Sequence, residues 1–314
     1  MTRIVISEFM DEQAVAMLAE RFDIRYDKSL VDRPSELENA LAAADALIVR
    51  NRTEVTAALI SGATSLCVVG RLGVGLDNID IDACAARGIS VIPATGANAQ
   101  AVAEYVIAAT LLLLRGAYES TQALAKGEWP RSALSNGREA AGKTLGLVGF
   151  GNIGRLTGRL ARALGMQVIG CDANLPPESV AWTEENARPA TISALLAEAD
   201  VVSLHVPLMP STRHLIDANR LSMMKREAIL INTSRGGVVD EAALASALRA
   251  GMLGGAALDV FEHEPLEAAS PLANCPRLLL TPHIAGITRE SNVRVSMLIA
   301  EKVAAALLER RAKE

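Results

Sequence analysis

Three residues far apart in the chain, Arg235, Glu264 and His283, carry the side chains that acid–base work on a small carboxylate needs. A guanidinium forks onto a carboxylate with two parallel N–H donors, which a lysine cannot do. An imidazole takes or returns a proton near neutral pH, and a carboxylate beside it holds one tautomer and stabilises the protonated ring. Each of the three stands beyond a short apolar run that reads as a strand: Arg235 after Ile229 to Thr233, Glu264 after Gly255 to Leu258, His283 after Leu278 to Leu280. In open α/β sheets ligands sit at the carboxyl ends of strands. The other polar positions of this kind are Arg50, Asn51 and Arg52, Gly73 to Gly75, His205 with Pro207, Thr233, Ser234 and Asp259. His263 adjoins Glu264 but points away from it on an extended loop, and His214 reads as a surface residue.

The co-reactant is indicated by residues 144–172, TLGLVGFGNIGRLTGRLARALGMQVIGCD. Leu145, Leu147 and Val148 read as a buried parallel strand. Gly149, Gly151 and Gly154 complete a G-x-G-x-x-G. Ile153, Leu156, Leu160 and Leu164 then lie on one helical face, Gly165 ends the helix, and Gln167 to Cys171 is a second strand with Asp172 at its end. Gly149 makes the tight turn, Gly151 lets a pyrophosphate approach the backbone, and Gly154 lets helix and strand pack closely. The first helical turn, with Asn152 and Ile153, offers free N–H groups and a positive dipole end to phosphates. Asp172 can accept both ribose hydroxyls of an adenosine and would repel a 2′-phosphate; no Arg or Lys follows closely. NAD is therefore favoured over NADP. With a nicotinamide present, a His–Glu pair becomes the base that takes the hydroxyl proton as hydride leaves the carbinol carbon.

The elements around these residues alternate. Strands at 3–7, 24–26, 46–49, 66–71 and 90–92 alternate with short helices over about a hundred residues, the pattern of a small doubly wound domain. Residues 97–115 form a long helix that is apolar nearly all round, a domain junction and a candidate subunit interface. Residues 119–142 have little pattern and read as an arm or loop carrying Arg131. Alternation then resumes to a last strand at 278–280 and an amphipathic helix at 290–311, with Val293, Met297, Ile299 and Ala300 facing inward. A chain of 314 residues suggests two domains. A net charge of −5 argues against nucleic acid or an anionic membrane surface. The longest apolar run, Tyr105 to Leu114, is too short to span a bilayer. Four scattered cysteines without C-x-x-C fit reduced thiols in the cytoplasm. No His pair has metal-ligand spacing, so no metal is expected.

The stretches GRLGVGLDNID (70–80), NAQAVAE (98–104), GKTLGLVGFGNIG (142–154), SLHVPL (203–208), LINTSRGGVVDEAAL (230–244), GAALDVFEHEPL (255–266) and LTPHIAGIT (280–288) resemble the D-isomer-specific 2-hydroxyacid dehydrogenase family. The resemblance runs through nearly the whole chain, in the family's order. It implies an α/β protein in which a Rossmann NAD-binding domain, 98–287, is inserted into a discontinuous flavodoxin-like substrate domain, 1–97 and 288–314. It implies Arg235, Glu264 and His283 as the catalytic trio. It adds Val206, Thr212 and Ala285 to the cofactor contacts His205, Pro207, Thr233, Ser234, Arg235, Asp259 and His283. It gives the substrate carboxylate to the backbone at Val74 and Gly75, with Arg235 and His283. It also implies a homodimer through the 98–118 helix and the arm.

The segments ISEFMDE (6–12) and VRNRTEV (49–55) are similar to sulfolactate dehydrogenases of that family. Arg50 and Arg52, with Asn51 between them, would suit a second anionic group, a sulfonate or a phosphate. The expected partner is thus a small anionic 2-hydroxy or 2-keto acid: 3-sulfolactate first, 3-phosphoglycerate close behind, hydroxypyruvate or glyoxylate third. A reading from another class, an NAD(H)-sensing co-repressor-like protein, is disfavoured because the whole Arg–Glu–His trio is present.

Overall fold

The computed structural model describes residues 2–116 and 120–312. Residues 117–119, where the expected 98–118 helix ends and the arm begins, lie outside the described residues. The chain divides into two compact units, Met1–Asn98 with Ile287–Glu314, and Ala99–Gly286.

The first unit begins as βα alternation: β1 (Arg3–Ile6), α1 (Glu12–Ala19), β2 (Asp23–Tyr26), α2 (Pro34–Leu41), β3 (Ala46–Val49), α3 (Ala57–Ser61), β4 (Val68–Arg71), α4 (Ile81–Ala86) and β5 (Ser90–Pro93). The helices start where short polar side chains can serve orphan N–H groups. Asp11, Thr56 and Asp80 each accept from a first-turn amide, and Pro34 opens α2 where its missing N–H is harmless. The five strands pair in parallel in the order β2-β1-β3-β4-β5, a flavodoxin-like arrangement. β3, apolar on both faces, is buried at all four residues, as a central parallel strand must be.

The second unit comprises α5 (Ala99–Arg115), α6 (Thr121–Ala125), β6 (Thr144–Val148), α7 (Asn152–Ala163), β7 (Gln167–Cys171), α8 (Val180–Glu184), β8 (Arg188–Pro189), α9 (Ile192–Glu198), β9 (Val201–Leu204), α10 (Ala218–Met223), β10 (Ile229–Asn232), α11 (Glu241–Arg249), β11 (Gly255–Leu258) and β12 (Leu278–Leu280). Its seven strands run β12-β11-β10-β9-β6-β7-β8. Read from β6 outward, this is the dinucleotide-binding order, and its topological switch point lies between β6 and β9. α5 packs Val106, Ala109, Leu113 and Leu114 into the core formed by β6, β9, β10 and β11, which is why it is apolar on most sides.

The chain returns to the first unit as α12 (Arg289–Arg311), opened by a capping box between Thr288 and Ser291. Its buried stripe is Val295, Ile299, Val303 and Leu307; the expected Val293 and Met297 are only half-buried. The expected Ile299 and Ala300 are buried, whereas Val293 and Met297 stand two residues out of step with the Val295, Ile299 and Val303 row, about 200° round the helix.

Short elements were not foreseen. α6 falls inside the expected arm, and α8 and β8 follow Asp172. Five residues show no readable period, and a two-residue edge strand ending in Pro189 carries no alternation. α8 exists for packing: Trp182 stacks on Phe150, ring centroids 4.3 Å apart.

A Cβ at Gly70 of β4 would stand 2.8 Å from both Ile299 Cγ2 and Val303 Cγ2 of α12. Both neighbours are β-branched and stiff. Gly70→Ala is expected to destabilise this unit by about 1–3 kcal/mol, read as a lower urea midpoint at unchanged slope.

Candidate active site

The glycine turn lies at the switch point. Gly149 has φ +95°, and a Cβ there would sit 2.4 Å from the His205 carbonyl that follows β9. A Cβ at Gly154 would sit 2.3 Å from the Gly149 carbonyl. At Gly151 a Cβ would meet nothing within 4 Å, so space is open where a phosphate would approach. Gly151 is the N-cap of α7 and supplies no side-chain cap, whereas Asp or Thr caps α1, α3, α4 and α9 to α12. The first amides of α7, at Asn152 and Ile153, are thus left for an anion. Asp172 closes the other side: its carboxylate accepts from Phe150 N at 2.7 Å and from Asn174 N at 2.8 Å. Val206 lies against the same turn. Thr212 donates to the Pro207 carbonyl at 2.6 Å and accepts from Met209 N at 2.7 Å, shaping the loop after β9.

The turn after β10 carries Thr233, Ser234 and Arg235. Asn232, 1% exposed, holds it: its amide donates to the Arg235 carbonyl, and its Oδ1 accepts from Ser234 N and Oγ. Arg235 is half-buried, and its Nη1 donates to the Ser234 carbonyl at 2.6 Å. Thr233 Oγ1 is buried without a hydrogen-bond partner among the described residues. An orphan hydroxyl at a strand's carboxyl end, with the open space at Gly151 and the Asp172 carboxylate, fits a dinucleotide along this rim.

The next two loops bring Glu264 and His283 together. Glu264 Oε2 lies 2.8 Å from His283 Nδ1, while its Oε1 accepts from Phe261 N at 3.1 Å. With Nδ1–H given to the carboxylate, Nε2 is left as the basic nitrogen. His283 adopts a left-handed conformation, φ +55°. Asp259 holds it there. Its carboxylate, 1% exposed, accepts from Thr281 Oγ1 at 2.6 Å, Ile284 N at 2.8 Å and Ala285 N at 2.8 Å, and its carbonyl accepts from His283 N at 2.8 Å. Gly236 brings the Arg235 turn against this loop: a Cβ there would sit 1.7 Å from the Phe261 carbonyl.

Sequence reasoning missed several supports. His214 is not a plain surface residue: its Nε2 lies 3.1 Å from Glu262 Oε1, and its N–H donates to the Gly237 carbonyl. Glu241, first residue of α11, accepts from Glu262 N at 2.7 Å, and burial pushes its carboxyl upward. Tyr105 Oη lies 2.6 Å from Thr281 Oγ1, extending the Asp259 network onto α5. None carries a local signature, because each partner is distant in sequence. His263 is exposed.

In the other unit, Arg50, Asn51 and Arg52 follow β3, and Val74 and Gly75 follow β4. Arg50 is half-buried, with Nη2 2.8 Å from Asn292 Oδ1 and its guanidinium over the Phe9 ring at 5.8 Å. Arg52 is exposed and ion-paired with Asp32.

Residues 107–285 match the family model described as D-isomer specific 2-hydroxyacid dehydrogenase, NAD binding domain. Over 98% of its length, and 99% of the relative's, the chain is 52% identical to (S)-sulfolactate dehydrogenase of Chromohalobacter salexigens. It is 38% identical to D-3-phosphoglycerate dehydrogenase of Methanocaldococcus jannaschii, over 96% of this chain and 57% of that one. A glyoxylate reductase from Paecilomyes thermophila has a similar structure, with TM-score 0.85 and 31% identity over 97% of this chain and 95% of that one.

Burial pushes the His205 ring down to about 4, with Ser203 Oγ 3.0 Å from Nε2. The unfolded chain binds a proton at this ring below about 6.5, the folded chain only near 4. The contribution is therefore complete above pH 6.5 and lost as pH falls towards 4, at most on the order of 2–3 kcal/mol. The fall in denaturation free energy between pH 7 and 4.5, without cofactor, should shrink by that amount in His205→Gln; an unchanged slope would show a ring that is not desolvated.

Proposed function

The chain belongs to the D-isomer specific 2-hydroxyacid dehydrogenase family and works with NAD, and on that premise we propose that its substrate is 3-sulfolactate, oxidised at the 2-hydroxyl to the 2-keto acid. One observation carries the chemistry: the 2.8 Å contact between His283 Nδ1 and Glu264, on a loop packed against the Arg235 turn. Bound NAD supplies the hydride acceptor. His283 Nε2 takes the hydroxyl proton, and Glu264 compensates the charge that appears on the ring. In the reverse direction the same imidazolium returns the proton. Arg235 forks onto the substrate carboxylate and orients the carbinol carbon. The amides at Val74 and Gly75 are read as further carboxylate donors.

The cofactor would be held by the Gly149–Gly154 turn, by Asp172 at the adenosine ribose, and by the loops bearing His205 to Thr212, Thr233 and Ser234. Asp259 acts through the 281–285 turn, since its oxygens are already engaged there. We read 99–286 as the NAD-binding domain and 1–98 with 287–314 as the substrate domain. The sulfonate is assigned to Arg50, with Asn51 and Arg52 beside it. The preference for sulfolactate over 3-phosphoglycerate rests on the 52% identity to a sulfolactate dehydrogenase against 38% to a phosphoglycerate dehydrogenase. A homodimer through α5 and the following arm is supported by Leu111, Leu124 and Trp129, which are 39, 45 and 78% exposed.

Initial rates with NADH and sulfopyruvate, phosphohydroxypyruvate, hydroxypyruvate and glyoxylate, side by side, test the substrate. Sulfopyruvate should give the highest kcat/KM; a higher value for phosphohydroxypyruvate would move the assignment to phosphoglycerate. His283→Ala should lower turnover about 10²–10⁴-fold while fluorescence titration still shows NADH binding. Turnover near wild type would remove His283 from the proton-transfer role.

A further inference from the structure

Glu8 is a carboxylate at a place where a substrate-binding loop would be expected to gather anions. It follows β1 and is 4% exposed. Both its oxygens are turned onto the backbone after the neighbouring strand β3. Oε1 accepts from Arg50 N at 2.9 Å and Thr53 N at 2.9 Å; Oε2 accepts from Asn51 N at 3.3 Å and Arg52 N at 3.1 Å. The other side of the turn is held as firmly. Asn78 Nδ2 donates to the carbonyls of Thr53 at 2.7 Å and Arg50 at 3.3 Å, and the Ser7 and Thr53 hydroxyls lie 2.9 Å apart.

Four consecutive amides converging on one point form a nest, and a nest binds an anion. Here a side chain of the same unit fills it. A carboxylate offers about four lone-pair sites, so four N–H donors leave it no capacity for anything else. What the turn still offers outward is its side chains. Of its two arginines, Arg52 is ion-paired with Asp32, while Arg50 is half-buried and fixed from below by Asn292 and by the Phe9 ring.

We propose that Glu8 is a specificity-positioning residue: by occupying the amide nest of residues 50–53, it assigns the substrate's distal anion to the Arg50 guanidinium and fixes where that guanidinium stands. The inference rests on the reading of Arg50 as the contact for that anion. Glu8 also carries a negative charge near Arg50 and Arg52, so position and charge predict opposite results on its removal. If charge dominated, neutralising Glu8 would improve binding of a doubly charged substrate. If position dominates, it weakens that binding, because the amide of a glutamine would face two of the four N–H donors.

The test compares wild type, Glu8→Gln, Glu8→Asp and Arg50→Ala with NADH, using sulfopyruvate as the substrate with a distal anion and glyoxylate as one without. Glu8→Gln should raise KM for sulfopyruvate about tenfold or more with kcat changed little, the signature of lost binding rather than lost chemistry. Glyoxylate kinetics and NADH affinity should stay within about twofold of wild type. Glu8→Asp, which keeps the charge, should recover part of the loss. Equal losses for both substrates, no loss, or a lower KM for sulfopyruvate would each overturn the proposal. Arg50→Ala separates the two failures. If it leaves the sulfopyruvate-to-glyoxylate ratio unchanged, the reading of Arg50 is wrong; if it collapses the ratio and Glu8→Gln does not, only the role of Glu8 is wrong. Hydrogen exchange on the wild-type protein gives a check that needs no variant. The amides of residues 50–53 should be protected as well as those of β3, and exchange at unstructured-chain rates would overturn the proposal outright.

Discussion

Every strand pair in both sheets is parallel. Parallel neighbours cannot be joined by a tight turn, so the chain must cross the sheet between them, usually through a helix. Within each unit the carboxyl ends of all strands therefore lie along one rim. This places the loops after β6, β9, β10, β11 and β12 side by side, although they span residues 149 to 285. It also sets the loops after β1, β3 and β4 together in the other unit. Chemistry that needs Arg235, Glu264 and His283 within reach of one another depends first on that constraint.

A rim of loops is not yet a site, because loop backbones have unsatisfied amides and no fixed shape of their own. The same device recurs at three strand ends. Glu8 after β1, Asp172 after β7 and Asp259 after β11 each turn a carboxylate back onto neighbouring backbone N–H groups. Charge-assisted bonds of this kind are stronger than neutral ones, and a carboxylate can gather several donors at once. Asp259 shows the result most directly. It satisfies two amides and a hydroxyl of the 281–285 turn, and the imidazole between them meets Glu264 at 2.8 Å.

Close backbone approach completes the arrangement. At Gly149, Gly154 and Gly236 a methyl group would lie 2.4, 2.3 and 1.7 Å from a carbonyl oxygen. Those carbonyls belong to His205, Gly149 and Phe261, in the loops just past β9, β6 and β11, so a side chain at any of the three positions would force the backbone there apart. The glycines thus set the spacing between loops, and the carboxylates set each loop's shape. The division of labour explains why the reactive side chains can be exposed, as His283 and Glu264 are, while the groups that aim them are buried.

Alternation of apolar runs with helical periods was enough to read the parallel α/β architecture, the two sheets and most element positions, since both periods are local properties of the chain. The glycine turn with Asp172, and the placement of Arg235, Glu264 and His283 just past strands, were legible for the same reason: each rests on a short window. The short elements α6, α8 and β8 were not, being too brief to show a period. Nor were Val295, Val303 and Leu307 of the α12 stripe, the His214–Glu262 pair, the Tyr105–Thr281–Asp259 network, or the seating of Glu8 under the 50–53 turn. These join residues tens or hundreds of positions apart, and nothing in a linear pattern says which buried polar group will meet which amide. That choice is made only when the sheets close and each desolvated donor must find an acceptor.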